Sequence, residues 1–138
     1  MNNNKFNASG CKDLTANEAL KNIDKENNKY LPIVYICSPY RGDVKTNIQR
    51  ARRYSYFAVK KDTIPITPHL LYPQFMDDDI ASERKLAMQF NYVLLGKCSE
   101  LWVFGDIITE GMAYEINIAK KRFMKIRYFN TQCEEVCK

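Results

Sequence analysis

Side chains that can bind an anion or attack an electrophile follow three of the strands predicted in this sequence. Ser38, Arg41 and Gly42 follow the first strand, His69 follows the second, and Asp106 follows the third. Arg41 offers a planar fork of donors suited to phosphate or carboxylate. Gly42 permits a sharp turn or the close approach of a ligand. Together they indicate a binding site for a small polar molecule.

A predicted helix start adds three more candidates. Thr109 can cap the helix, whose free amides would favour an anion, and Gly111 lies in its first turn. Glu115 lies about a turn and a half beyond Thr109 and projects from the same end. Any one of these groups alone is more often structural, and a lone glutamate is usually a helix-surface carboxylate. Their convergence on one edge of the predicted sheet, at the carboxyl ends of its strands, is what indicates a functional site.

The pattern of strands and helices explains why they converge. Residues 33–37 are a continuous apolar run, typical of a strand buried on both faces. Residues 68–80 contain two prolines and three consecutive aspartates, and are interpreted as a long loop rather than a magnesium site. The other predicted strands are 63–67, 101–104 and 124–129, and the predicted helices are 44–61, 82–97 and 109–121.

This alternation predicts an α/β fold with three layers: a parallel sheet of four to five strands with helices on both faces. Right-handed crossovers restrict the topology to a flavodoxin-like or Rossmann-like arrangement. In such sheets the ligand lies at the carboxyl ends of the strands. Residues 31–138 are predicted to form this domain. Residues 1–30 are polar and are predicted to be a mobile tail, with a short helix near 17–23.

Composition narrows the class of protein. The formal net charge is +5, but both signs are interspersed, so nucleic-acid binding is not the favoured interpretation. The basic run at residues 50–53 is more simply a solvated helix face. No apolar run is long enough for a membrane helix, and no secretory signal is visible. Five cysteines at irregular spacing indicate reduced thiols in a cytoplasmic protein, and we expect no metal site and no cofactor.

Two segments resemble the nucleoside 2-deoxyribosyltransferase superfamily. Residues 35–42, Tyr-Ile-Cys-Ser-Pro-Tyr-Arg-Gly, are similar to its first strand and loop, most closely in the deoxynucleoside 5′-monophosphate N-glycosidase branch. Residues 111–119, Gly-Met-Ala-Tyr-Glu-Ile-Asn-Ile-Ala, resemble its nucleophile segment, and His69 resembles a histidine after the second strand. Small uncharacterised bacterial and phage proteins share the pattern. The resemblance spans about residues 31–129.

The resemblance implies cleavage of the N-glycosidic bond of a 2′-deoxynucleotide or deoxynucleoside. Glu115 would attack C1′ and form a covalent deoxyribosyl intermediate, which water or a second base would resolve. Tyr35 would hold this carboxylate and favour its ionised form. Ser38, Arg41, Gly42, His69, Asp106, Thr109 and Gly111 would bind the substrate. A hydroxyl at Thr109 suits a 5′-phosphate, which favours nucleotides over nucleosides.

The sequence departs from the superfamily at two places: related enzymes carry smaller residues in the loop that contains Ser38, Pro39 and Tyr40, and they carry an aspartate where this chain has Tyr92, with Asn91 adjacent. That aspartate helps to handle the leaving base. The resemblance also implies a homodimer or higher homo-oligomer. Two alternatives stay open: a non-catalytic nucleotide-binding or sensing module of the same fold, and a nucleic-acid-associated protein that uses residues 50–53.

Overall fold

Strand β1 (Ile33–Cys37) lies inside the sheet, as its continuous apolar run predicts. In the computed structural model, which describes residues 14–27 and 29–138, the side chains of Val34, Tyr35, Ile36 and Cys37 are almost completely buried. Both faces of β1 are therefore covered, as in parallel sheets that carry helices on both sides.

The sheet has the strand order β2-β1-β3-β4-β5. Strands β2 (Ile64–Ile66), β3 (Glu100–Phe104) and β4 (Lys125–Phe129) continue the parallel sheet around β1. Strand β5 (Glu135–Val136), which the sequence did not predict, pairs antiparallel with β4. Pro65 is tolerated because β2 is an edge strand, where one missing donor costs little. The predicted three-layer α/β fold is confirmed.

Helices cover both faces of this sheet. Helix α2 (Val44–Lys60) packs Tyr54 and Ala58 against one face, which includes Trp102 and Phe104 of β3. Helices α4 (Ala81–Gly96) and α5 (Glu110–Lys121) cover the other face, where the buried side chains are Tyr35, Cys37, Leu95, Leu101, Val103, Met112, Ile116 and Ala119. The alternating side chains of β1 and β3 thus serve two separate apolar cores.

Residues 68–80, predicted as a loop, are partly helical. They contain α3 (Pro68–Leu71) and a single 3-10 turn at Tyr72–Gln74, and a proline stands near the start of each. Proline has a fixed φ and lacks only a donor that a helix start leaves unpaired, so it favours these starts. The interpretation of proline as a loop signal was therefore wrong here.

Helix α4 also differs from its prediction. The sequence predicts a helix over 82–97 with Ser82 as its cap, but the helix begins at Ala81 and its cap residue is Ile80. The helical spacing predicts that Leu86, Phe90, Val93 and Leu94 face inward; Phe90 and Leu94 are partly buried, whereas Leu86 and Val93 are exposed. Leu95, which the spacing does not predict, is completely buried. The buried face of the helix therefore coincides only in part with the predicted one.

The described residues before Leu31 belong to one compact unit of the chain, and residues 31–138 form the second. In the first unit, α1 (Leu14–Asn27) is longer than the short helix predicted near 17–23. Residues 1–13 and 28 of the predicted tail lie outside the described residues, and the mobility of the tail stays a prediction. In the described part of the chain, no helix has both the length and the apolar character needed to cross a membrane.

Candidate active site

A cavity of about 650 Å³ opens at the carboxyl ends of β1 and β3. The chain runs from β1 to β2 on one side of the sheet and from β3 to β4 on the other, so the connections that follow β1 and β3 diverge. Ligands bind at such a point in open α/β sheets. The cavity is lined by the loop after β1, by α3 and the segment that follows it, by α4 and by the start of α5. Six of the predicted site residues line it: Ser38, Arg41, His69, Thr109, Gly111 and Glu115.

Glu115 is held at the wall of this cavity by the strand beneath it. The hydroxyl of Tyr35, buried in β1, donates a hydrogen bond to Oε2 of Glu115. Cys37 lies on the same face of β1, and its buried thiol lies beside Glu115. The side chain predicted as the nucleophile is therefore oriented by a residue from another element, as covalent catalysis requires.

Burial and hydrogen bonding act in opposite directions on Glu115. Burial raises the pKa of its carboxyl group from 4.5 to about 7, although the donors of Tyr35 and Cys37 lower it. The sequence predicted that Tyr35 would favour the ionised form. That contribution is present, but desolvation outweighs it. Near neutral pH a large part of the population therefore carries an ionised, poorly solvated carboxylate, the form that a nucleophilic role would require.

Tyr35→Phe should raise the pKa of Glu115 above its present value. The substitution removes a hydrogen bond to a charged group, typically about 1.5–3 kcal/mol, and leaves the burial in place. A carbon-13 NMR titration of the glutamate carboxyls would measure the change. Tyr54→Phe is the matched control, because Tyr54 is a buried tyrosine on the other face of the sheet. An unchanged Glu115 titration in Tyr35→Phe would show that the hydroxyl does not stabilise the carboxylate.

Ser38 and His69 form a neutral hydrogen-bonding pair on the cavity wall. The Ser38 Oγ and His69 Nε2 atoms are 2.9 Å apart. Burial lowers the pKa of His69 to about 4, so the imidazole is uncharged at physiological pH. The ring of Tyr40 packs edge-on against the imidazole, with centroids 6.2 Å apart. The pair can exchange hydrogen bonds with a hydroxyl but brings no charge to a phosphate.

Arg41 also lines the cavity, but its guanidinium group is engaged. Its Nε donates to Oδ2 of Asp78 at 2.7 Å, and its Nη2 donates to the Asp78 carbonyl oxygen at 3.0 Å. Gly42 lines a neighbouring groove rather than this cavity, and its φ of +96° is the left-handed conformation that glycine adopts readily. Asp106 is exposed in the loop after β3 and does not line the cavity.

The start of α5 is built as the sequence predicted. Thr109 is the cap residue, and its Oγ1 accepts a hydrogen bond from the backbone N–H of Met112 at 3.3 Å. Gly111 follows in the first turn, and an added Cβ there would meet nothing within 4 Å. The hydroxyl of Thr109 thus accepts one hydrogen bond from the helix and keeps its own O–H donor, and Thr109 and the first turn line the cavity.

Comparison with known protein families gives a match over most of the domain. Residues 32–129 match the model of the family described as "Domain of unknown function (DUF7768)". The chain belongs to this family. The matched residues extend from the start of β1 to the end of β4, so they include every strand and helix that lines the cavity. Among curated proteins, none matches this sequence significantly.

Sequence reasoning missed the contribution of α4. Arg84, Met88 and Asn91 of this helix line the cavity, at a spacing that places them on one helical face. Tyr92, which occupies the position of the superfamily aspartate, is 47% exposed and does not line it. Its ring packs under the guanidinium group of Arg122, 4.3 Å from the ring centroid. The seven-residue spacing of Arg84 and Asn91 is a signal for this face, because residues seven positions apart lie on the same side of a helix.

The basic run at residues 50–53 lies outside the cavity. Arg50, Arg52 and Arg53 are exposed on α2, and Ala51 between them is buried. Arg53 donates to the carbonyl oxygen of Thr131 at 2.6 Å. This arrangement is that of a solvated helix face. Within the described ranges, no group of three or more His, Cys, Asp or Glu side chains is arranged to hold a metal ion.

Proposed function

We propose that this protein cleaves the N-glycosidic bond of a 2′-deoxynucleoside or 2′-deoxynucleotide, with Glu115 as nucleophile. One observation carries the proposal: the Glu115 carboxylate lies at the wall of a ligand-sized cavity, oriented by Tyr35, with a pKa of about 7. A buried carboxylate with a raised pKa in a cleft is typical of a reacting group rather than a solvated one.

The chemistry needs two steps. An oxygen of the Glu115 carboxylate attacks C1′, the bond from C1′ to the base nitrogen breaks, and its electron pair leaves with the base, which takes up a proton. Water then attacks C1′ of the glycosyl ester, the bond from C1′ to the carboxylate oxygen breaks, and the proton lost by the water passes to solvent, which balances the proton taken up by the base. Deoxyribose, or its 5′-phosphate, is released and the carboxylate is restored. A second base in place of water would give transfer rather than hydrolysis. Neither step uses a metal or an organic cofactor.

The charges around the cavity favour a neutral deoxynucleoside over a deoxynucleotide. Five carboxyl groups line it but only two guanidinium groups: Asp77, Asp78, Glu83, Glu110 and Glu115 against Arg41 and Arg84. Arg41 is already paired with Asp78 and His69 is uncharged, so among the lining residues Arg84 is the cation left to meet a phosphate. The neutral Ser38–His69 pair suits a sugar hydroxyl instead. The substrate preference inferred from the Thr109 hydroxyl is therefore reversed in this proposal.

The aromatic side chains that line the cavity also suit a nucleoside. The aromatic rings of Tyr40, Tyr72 and Tyr114 line it and provide faces against which a planar base can pack.

The proposal includes a cytoplasmic setting, because Cys37, Cys98, Cys133 and Cys137 are all free thiols, the usual state in a reducing compartment. A homo-oligomeric assembly is part of the proposal on the resemblance alone.

The test is the release of free base from a panel of deoxynucleosides and their 5′-monophosphates, followed by chromatography. We expect release from at least one deoxynucleoside, and slower release from the matching monophosphate. Binding without release would support the alternative of a nucleotide-binding module. Faster release from the monophosphate would contradict the charge argument but not the reaction.

A further inference from the structure

Helix α2 carries the excess positive charge of this chain. It contains five basic side chains and no acidic one, and the formal net charge of the whole sequence is also +5, so acidic and basic residues balance in the rest of the sequence. All five basic side chains are exposed: Lys45, Arg50, Arg52, Arg53 and Lys60. The folded protein therefore presents its excess charge on one solvated helix face.

Carboxylates do not neutralise these cations. None of the five forms an ion pair with a carboxylate of the residues that the structure describes. Arg53 donates to the carbonyl oxygen of Thr131, a neutral group. The Asp43 carboxylate interacts electrostatically with Arg50, but its hydrogen bond goes to a backbone N–H of the first turn. A helix face with this charge favours an anionic partner.

The cations form a row along the solvent side of the helix. The opposite side of α2 is buried against the sheet through Ala51, Tyr54 and Ala58. Lys45, Arg52 and Lys60 follow one another at spacings of seven and eight residues, which places them on one side. The row spans about 22 Å at a rise of about 1.5 Å per residue. An extended anion with repeated charges matches this row better than a single small ion does.

An exposed aromatic ring lies within the row. Tyr56 is 62% exposed, and the Nζ atom of Lys60 lies 5.1 Å from the centroid of its ring. Proteins that bind single-stranded nucleic acids combine cations that follow the phosphates with aromatic rings on which unpaired bases stack. A membrane surface is a poorer match, because a helix inserts its apolar face there and the apolar face of α2 is buried.

We propose that the exposed face of α2 binds the backbone of a single-stranded nucleic acid, with a base stacked on Tyr56. The cations neutralise phosphates and release their counterions, so the affinity falls as the salt concentration rises. This surface is separate from the candidate active site, because no residue of α2 lines the cavity. The inference goes beyond the proposed function and does not depend on it.

The test measures binding of the full chain to a fluorescent oligodeoxythymidylate of about 20 nucleotides, a length that exceeds one typical binding site. Fluorescence anisotropy at several salt concentrations gives the slope of log K against log salt concentration. Five phosphate contacts predict a slope of about −3.5 for wild type. Lys45→Gln/Arg52→Gln removes two contacts, so its binding should be weaker and its slope about −2.

Lys120→Gln/Lys121→Gln is the matched control for the charge. Both lysines are exposed in the last turn of α5, so this variant loses the same two charges at another surface. Its affinity and slope should stay close to those of wild type. Equal losses in the two double variants would show a general effect of net charge and would overturn the assignment to α2.

Tyr56→Ala tests the stacking contact. The affinity for the single strand should fall about tenfold, within the usual range for one stacked base, and the salt slope should stay unchanged. Wild type should bind a blunt duplex of the same sequence length less tightly. Equal binding of duplex and single strand, with no loss in Tyr56→Ala, would contradict a single-stranded ligand.

Two further outcomes would overturn the proposal. One is the absence of oligonucleotide binding by wild type at low salt, and the other is binding to phosphatidylserine vesicles in its place. Glu115→Gln separates this inference from the proposed function, because it should bind the oligonucleotide as wild type does. Melting curves of the α2 variants should match wild type, since the substituted side chains are exposed.

Discussion

Glu115→Gln should reduce base release by at least about 1,000-fold, the typical scale for loss of a nucleophile. The amide has nearly the same shape and can still accept the hydrogen bond from Tyr35, but it cannot form a glycosyl ester. Deoxynucleoside binding should persist, because the other cavity residues are unchanged. Rates come from single-turnover base release, and affinities come from calorimetry.

Glu110→Gln is the matched control for this substitution. Glu110 lines the same cavity and lies one and a half turns before Glu115 on α5, but it is exposed. The removal of its charge tests whether any carboxylate at this edge suffices. A Glu115→Gln protein that keeps full activity would rule out Glu115 as the nucleophile, and equal losses in both variants would point to a general charge effect.

The same Glu115→Gln substitution should stabilise the fold at alkaline pH. The carboxyl pKa is about 7 in the folded protein and 4.5 in its usual state. The folded state therefore binds this proton more tightly than the unfolded state does. The stabilisation is complete below pH 4.5 and is lost as the pH rises through 7. The full difference is about 3 kcal/mol, at 1.36 kcal/mol for each pH unit.

Urea unfolding at pH 5 and pH 8 would measure this effect. The free energy of unfolding of Glu115→Gln should gain about 2–3 kcal/mol relative to wild type between the two conditions. Other titrating groups, including His69, cancel because both proteins contain them. Glu110→Gln should show no such gain. A constant difference between Glu115→Gln and wild type at both pH values would contradict a raised pKa at Glu115. A gain would show that the site costs stability, as reactive sites commonly do.

Features set by local sequence were predictable. The apolar run of β1 predicted burial on both faces because only side chains without charge fit there. Thr109 predicted the start of α5, since a hydroxyl in that position satisfies a free helix donor. The placement of Glu115 followed from its distance along the same helix. These features depend on interactions between residues that lie only a few positions apart in the sequence.

Features set by distant contacts were not predictable. Nothing in the neighbourhood of Arg41 indicates that Asp78 would hold its guanidinium group, because the two meet only when the segment after α3 folds over the loop after β1. The position of Asn91 at the cavity depends on how α4 packs against the sheet. The net pKa of Glu115 depends on burial, which sequence spacing does not reveal. The fold was therefore more predictable than the charges of the site.

The most direct measurement of the central claim is the mass of the protein during turnover. Wild type would be mixed with a deoxynucleoside that carries fluorine at C2′, which withdraws electrons and slows the breakdown of a glycosyl ester. We predict a mass increase of one fluorodeoxyribosyl group, mapped after proteolysis to the peptide that contains Glu115 and absent from Glu115→Gln. Base release without an adduct, or with the adduct on another residue, would contradict the assignment of Glu115 as the nucleophile.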